Sequence, residues 1–218
     1  MADNAGMTSA DRIAELRGAP LLDALERLDP LSPEAHALNV NELALDPGDL
    51  RKDDFRRLLN ALLRLAERAP AFDLSKVEPA RFASLVASAS RAQLESVVAD
   101  RPLRERVLDE IFARMGAHIR SDRARDLQAV VHWRLSGGAG EGGFDRYETA
   151  ISHGSCTVSR EMHATPRVTI TIAPADFFRL ITHQATPAVL FVTGRIKVKG
   201  DLAFAAGLIG FFDLPHPV

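Results

Sequence analysis

His153, Cys156 and His163 bring two imidazoles and a thiol into one short stretch. Such a set suggests zinc, which takes nitrogen and sulfur ligands in a tetrahedral array. Their spacing matches no established zinc pattern. A hairpin would place His153 in its turn while Cys156 alternates with its strand neighbours, so surface histidines and a half-buried cysteine are the simpler reading. The run from Gly137 to Gly143 (Gly-Gly-Ala-Gly-Glu-Gly-Gly) is rich enough in glycine to approach a phosphate. A phosphate cradle lies between a strand and a helix, however, and here the next element reads as a strand. Asp201 follows Gly200 at the head of an apolar run, where a carboxylate caps a helix by accepting its first amide hydrogens. No base or nucleophile accompanies it. The chain has no Gly-x-Ser-x-Gly elbow, Walker loop or His-Glu-x-x-His. His132, on the polar side of its strand, is solvated or paired with a carboxylate. We therefore expect no catalytic residue, no metal and no cofactor.

The segment from Thr193 to Asp201 alternates between two glycines. Ile196 and Val198 point one way, and Arg195, Lys197 and Lys199 the other, as in a half-buried strand. Its cations form a solvated face or meet an anionic headgroup or membrane surface. Leu202 to Phe212 reads as a helix with almost no polar face, which is either buried on every side or covers something apolar that is not protein. Gly207 and Gly210 within it suggest close packing or mobility, since each costs about 1 kcal/mol against alanine.

A formal charge of −2 leaves no basic footprint for nucleic acid, and 46% hydrophobic residues supply a core. No window reaches the roughly 18 apolar residues of a membrane span, so stable membrane insertion is not expected. The first residues lack signal-peptide character and the last carry no targeting tripeptide or prenylation box. A single cysteine fits a reducing cytosol, and a cytoplasmic protein is expected.

Composition changes near residue 120, from Leu, Ala, Arg and Glu at helical spacing to alternating Val, Ile and Thr. Residues 1–48 form a proline-interrupted arm, with one short helix at Leu21–Leu28 and the rest extended over the body or poorly ordered. Residues 49–120 form a helical domain. Its helices lie over Asp49–Ala69 (Phe55, Leu58, Leu59, Leu62, Leu63 and Ala66 inward), Pro79–Ser88, Ser90–Ala99 with Ser90 as N-cap, and Leu103–Ile119 (Val107, Leu108, Ile111, Phe112 and Met115). After it, Asp126–Ser136 has Val131, Trp133 and Leu135 on one side. Arg146–Ile151 and Ser155–Arg160 flank a turn at His153-Gly154, and Arg167–Ala173 directs Val168, Ile170 and Ile172 inward. Helices are expected from Pro174 and over Pro187–Val192.

In that order, residues 124–214 resemble the sterol carrier protein 2 (SCP2) family of lipid-binding domains. The resemblance rests on Val-Val-His-Trp-Arg-Leu-Ser-Gly-Gly, the Tyr147 strand with its His-Gly-Ser-Cys-Thr-Val hairpin, Val-Thr-Ile-Thr-Ile-Ala-Pro-Ala-Asp-Phe-Phe-Arg-Leu, and Phe-Val-Thr-Gly-Arg-Ile-Lys-Val-Lys-Gly-Asp-Leu-Ala-Phe. The helical first half looks like an extension found with some bacterial members. The resemblance implies an α+β fold in which a five-stranded mixed sheet is covered by helices, here preceded by a small all-α bundle. It further implies an apolar tunnel and reversible, non-catalytic binding or transfer of fatty acyl chains, sterols or similar amphiphiles. The residues support such a cavity independently. Trp133, Ile170, Ile172, Ile196 and Val198 on strands face helices bearing Phe177, Phe178, Ile181, Leu190, Phe191, Leu208, Phe211 and Phe212. Affinity in a pocket of this kind comes from area removed from water, at about 25 cal/mol per Å².

Two other functions fit the same residues. In a scaffold, side chains fill the tunnel and the helical half binds a protein; an exposed Leu or Phe patch on the Asp49–Ala69 helix would mark it. A metal- or thiol-dependent isomerase or transferase of helical-plus-SCP2-like architecture needs several histidines on the bundle, where only His36 and His118 occur before residue 125. The apolar stripes of the helical half need a docking surface, so it is expected to cap the tunnel or control ligand entry. The partner expected is a hydrophobic small molecule or lipid, with transient membrane-surface contact and no nucleic acid; the sequence sets no oligomeric state.

Overall fold

A computed structural model describes residues 8–69 and 72–214 of the 218. The leader and tail readings for residues 1–7 and 215–218 lie outside the described residues. The chain divides between Leu103 and Arg104 into two compact units.

The first unit is helical: α1 (Ser9–Glu15), α2 (Gly18–Arg27), α3 (Pro33–Ala37), α4 (Lys52–Arg68), α5 (Pro79–Ser88), α6 (Arg91–Ala99) and the start of α7 (Arg101–Ala117). The proline-rich arm differs from expectation. Pro20 sits in the first turn of α2, Pro33 opens α3 and Pro47 opens a 3-10 turn. At these positions a missing amide hydrogen leaves no bond unmade, so the prolines start helices rather than prevent them. Leu21, Leu22, Leu25, Leu38 and Leu43 from this arm form one core with Leu58, Leu62 and Leu65 of α4. Arg64 on α4 donates to the carbonyls of Leu25, Glu26 and Leu28 at 2.8–3.1 Å, satisfying orphan acceptors at the end of α2. At α6, the Ser90 hydroxyl accepts from the Gln93 amide and the Gln93 side chain accepts from the Ser90 amide, a capping box. Phe55, Leu58, Leu62, Leu63 and Leu65 are buried and Leu59 is half-buried, so α4 carries no exposed Leu or Phe patch.

The second unit is α+β. After α7 come β1 (Gln128–Ser136), β2 (Phe144–Ser152), β3 (Ser155–Ser159), β4 (Val168–Ile172), α8 (Pro174–Ile181), α9 (Pro187–Val192), β5 (Ile196–Gly200) and α10 (Leu202–Gly207). The five strands form one mixed sheet in the order β3-β2-β1-β4-β5, with β1 and β4 parallel and the other neighbours antiparallel. The β2–β3 turn has φ of 51° at His153 and 75° at Gly154, as a type I′ hairpin turn requires. A Cβ at Gly154 would lie 2.9 Å from the Ser121 carbonyl, so that turn tolerates no other residue without movement.

Register places Ala129, Val131, Trp133 and Leu135 on the same face as Tyr147, Ile151, Val168, Ile170, Ile172, Ile196 and Val198. All of these are buried except Val198, which is half-buried. On the other face His132 pairs with Glu148 at 3.0 Å, so the carboxylate partner is the reading that holds. Glu148 also accepts from the backbone amides of His163 and Ala164, tethering the connection between β3 and β4 to β2. Burial alone would raise the Glu148 pKa; hydrogen bonds from Ala164, His132 and His163 outweigh it and hold the carboxyl below its usual range.

The terminal helix follows neither sequence reading in full. α10 ends at Gly207 and continues as a 3-10 turn over Leu208–Phe211. Two glycines four residues or fewer from the end weaken the helical ladder, and the chain tightens into 3-10 geometry instead. Only Phe204, Leu208 and Phe212, four residues apart, are buried, whereas Leu202, Ala203 and Ala206 are exposed. This is a one-sided cover rather than an enclosed helix.

Candidate ligand-binding face of the sheet

The buried sheet face holds an aromatic cluster that begins with Trp133 on β1. Its ring meets Phe177 of α8 edge-on at 5.6 Å and Phe112 of α7 at 5.8 Å. Phe112 stacks on Tyr147 at 3.9 Å and on Phe177 at 5.1 Å, and Phe178 lies 6.5 Å from Phe177. Offset and edge-to-face pairs at these separations add about 0.5–1.5 kcal/mol each beyond burial. Ile170 and Ile172 of β4 and Ile196 of β5 extend the apolar surface toward α8 and α9, where Ile181 and Leu190 are buried. Leu208 and Phe212 are buried near the C-terminus, and Phe211, half-buried, lies 6.1 Å from Phe204. Of the residues expected to line a tunnel, Phe191 stands apart on the outer side of α9, 52% exposed.

Polar groups around this face are paired, leaving its centre apolar. The Trp133 indole donates to the Thr149 hydroxyl at 3.2 Å. Arg104 Nε donates to Asp145 at 2.9 Å, with side chains only 6% and 3% exposed. The Tyr147 hydroxyl donates to Asp109, which also accepts from Arg160. Burial first, and then Asp109, pushes the Tyr147 pKa far up. Asp176 of α8 is buried and takes Arg195 on both oxygens, so Arg195 is an ion-pair partner rather than part of a free cationic face. Sequence reasoning had no signal for these pairs because each joins residues on different elements, 16 to 51 positions apart. Phe112 was visible as an inward residue and Tyr147 only as a member of its strand; register and helix placement put both beside Trp133.

The C-terminal cover is pinned at both ends. Asp201 caps α10 by accepting from Phe204 N at 2.9 Å and takes a two-pronged hydrogen bond from Arg167 at 2.7 and 2.9 Å. The Arg167 guanidinium lies 4.4 Å over the Phe204 ring. The Phe204 amide, followed by Arg167, holds the Asp201 carboxyl below the usual carboxylate range. At the far end, Arg120 N donates to Phe211 O, and Asp213 N donates to His118 O, both at 2.8 Å. Gly200 precedes the cap with φ of 111°, and a Cβ there would stand 2.4 Å from the Arg167 carbonyl. Only glycine fits that close approach of β5 to β4.

Among the described residues, no group of three or more His, Cys, Asp or Glu side chains is placed to hold a metal ion, and no helix is long and apolar enough to cross a membrane. Cys156 is free, and burial pushes its thiol up to about 11.

A five-stranded mixed sheet with one apolar face under short helices defines an SCP2-like α+β domain. Residues 108–213 match the SCP-2 sterol transfer family, and this part of the chain is an SCP2-family domain. The match begins within α7, upstream of residue 124 where the sequence resemblance was placed. Among solved structures, sterol carrier protein 2 like 2 from Aedes aegypti is 22% identical, with 49% of this chain and 93% of that one covered and a TM-score of 0.37. Sterol carrier protein 2 from Yarrowia lipolytica, in its apo form, is 22% identical over 55% of this chain and 87% of its own, with a TM-score of 0.35. The stereoselective inverting sec-alkylsulfatase Pisa1 from Pseudomonas sp. is 18% identical, covering 88% of this chain and 26% of its own, with a TM-score of 0.43. No curated protein matches the chain.

Proposed function

We propose that residues 108–213 bind a lipid or similar amphiphile reversibly, without covalent chemistry, against the apolar face of the sheet. The observation that carries this reading is the cover over that face. α10 and its 3-10 turn bury one side chain per turn and are held mainly at their ends by polar contacts. Packing that sparse lets the segment lift without breaking a large core. Trp133, Ile170, Ile172, Phe178, Ile181 and Leu208 are the residues we assign to the ligand contact, with Phe177, Leu190, Ile196, Val198, Phe211 and Phe212 around them. Phe191 would reach a ligand only at the entrance. Burying an acyl chain here would be driven by its area at about 25 cal/mol per Å², less its ordering cost.

A second reading has one observation in its favour. The stack of Phe112, Tyr147, Phe177 and Trp133 fills the middle of the face with side chains, as a scaffold without a ligand would. Native mass spectrometry of the purified full chain, followed by organic extraction, separates the two. A stoichiometric co-purifying amphiphile, or saturable uptake of a fluorescent fatty acid, is the expected result. An empty protein that also leaves the fluorescent acid unbound would refute lipid binding and favour the scaffold.

A further inference from the structure

The sheet has two edges, and only one of them is guarded. β5 carries Lys197 and Lys199, both exposed, and a second copy laid against it would set lysine toward lysine. β3, at the other edge, reads Ser-Cys-Thr-Val-Ser, with no charge and no proline. Its register with β2 runs from Ser155 to Ser159 without a bulge. Charges, prolines and bulges are the devices that keep an edge strand from pairing, and β3 has none of them.

The hairpin fixes which backbone groups on that edge are unused. Its two-residue turn closes with Ser152 and Ser155 bonded to each other, and bonding alternates along the strand from there. Ser155, Thr157 and Ser159 therefore turn their amides and carbonyls to β2, while Cys156 and Val158 turn theirs outward. Among the described residues, no backbone group bonds Cys156 or Val158 on that outer side. The neighbouring Gly154 amide is taken, since it donates to the Ala124 carbonyl at 3.0 Å. Above the edge, Asp109 of α7 holds Arg160, and a Cβ at Gly116 would lie 3.3 Å from Val158 Cγ2. Ala113 lies between these two on the same helical stripe, exposed and short, so α7 leaves space over β3.

We infer that β3 pairs antiparallel with β3 of a second copy of this chain, joining two five-stranded sheets into one. One register engages every free group. It sets Cys156 opposite Val158 of the second copy, with Thr157 facing its own counterpart on the twofold axis, and forms about four hydrogen bonds. Moving the axis to Cys156 would call on the Gly154 amide, which is already bonded, and moving it to Val158 would call on Arg160, beyond the end of the strand. Thr157 is exposed, and a threonine pair directly across two strands is a favourable contact. The charges flanking the strand are opposite in kind, with His153 of one chain lying toward Glu161 of the other. The axis is perpendicular to the sheet, so both apolar faces stay on one side. This pairing is independent of the ligand reading.

Analytical ultracentrifugation of the full chain at about 100 µM tests it, a concentration suited to a small interface. Wild type is expected to sediment as a dimer of the 23.8 kDa chain. Val158→Pro removes an amide that the single chain leaves unbonded, and proline is tolerated where an edge amide faces solvent, so this variant should be monomeric. Thr157→Lys sets like charges opposite each other and should weaken the dimer at least about fivefold. Both variants should keep the wild-type Trp133 emission of a folded domain. Oxidation reads the register. In Cys156→Ser/Thr157→Cys the paired Cα atoms stand about 4.5 Å apart, within disulfide range, and the chains should cross-link. The two native Cys156 Cα atoms stand roughly 8 Å apart, too far for a disulfide, and wild type should not cross-link. A monomeric wild type, or a dimer unchanged in Thr157→Lys, overturns the inference. So does cross-linking of wild type without cross-linking of the Thr157→Cys variant.

Discussion

Replacing Arg104 by methionine tests how α7 is locked onto the sheet. Its guanidinium reaches Asp145 at 2.9 Å, and both side chains are nearly inaccessible. The glycine-rich loop closes over the carboxylate: a Cβ at Gly138 would lie 2.6 Å from Asp145 Oδ1. Water therefore has little room to replace the arginine. Breaking such a pair from one side leaves a buried unpaired charge, which costs about 3–5 kcal/mol. With an m value of about 1.5 kcal/mol/M in urea, the midpoint should fall by about 2–3 M, or the domain should be unfolded in water. Trp133 is the only tryptophan in the chain and is buried in this unit, so its emission reports this transition and not that of the helical unit. That separation matters because a chain of two compact units need not unfold in one step. Arg104→Met/Asp145→Leu should recover most of the loss, since an apolar replacement of the whole pair leaves no charge behind. A midpoint shift below about 0.5 M for the single variant would refute the reasoning, as would a double variant no more stable than the single.

Tyr147 is the only tyrosine, and burial together with Asp109 raises its pKa. The sign is that of an acid favoured in its neutral form when folded: stability is intact below the unfolded value near pH 10 and lost as pH rises above it. Phenolate absorbance should thus appear only with unfolding of the Trp133 signal; a separate earlier step would contradict the buried hydrogen bond. Cys156, its thiol pushed up to about 11 by burial, should react slowly with an aromatic disulfide reagent at pH 8 and at ordinary thiol rates in urea. Asp201 has a lowered pKa, so its contribution is complete above the unfolded carboxylate value near pH 4 and fades as pH falls through the folded one. Hydrogen exchange at the Phe204 amide should accelerate in Asp201→Ala even at neutral pH, because the cap and the Arg167 pair are both lost; unchanged exchange would remove the pinned-cover argument.

Features carried by alternation were legible in the sequence, and features carried by long-range pairing were not. Val168, Ile170 and Ile172 declare a strand and its buried face in five residues, and β4 follows them. His153-Gly154 between two alternating runs declares a hairpin, because few turns accept positive φ at both positions. Ser90 with Gln93 three residues on writes a helix start, and α6 begins there. Proline misled in the arm because it both breaks helices and begins them, and only the partners of Leu21, Leu22 and Leu25 on α4 decide between the two. The apolar run after Asp201 misled for a related reason. Hydrophobicity at every position reports what the side chains are, not how many neighbours exist to cover them. With α10 tied down by Arg167 and Asp201 at one end and by His118 and Arg120 at the other, the chain needs only Phe204, Leu208 and Phe212 to hold its inner side. Leu202, inside a run that reads as uniformly apolar, is left at the surface, 55% exposed. Its exposure follows from one glycine and one ion pair rather than from its own chemistry.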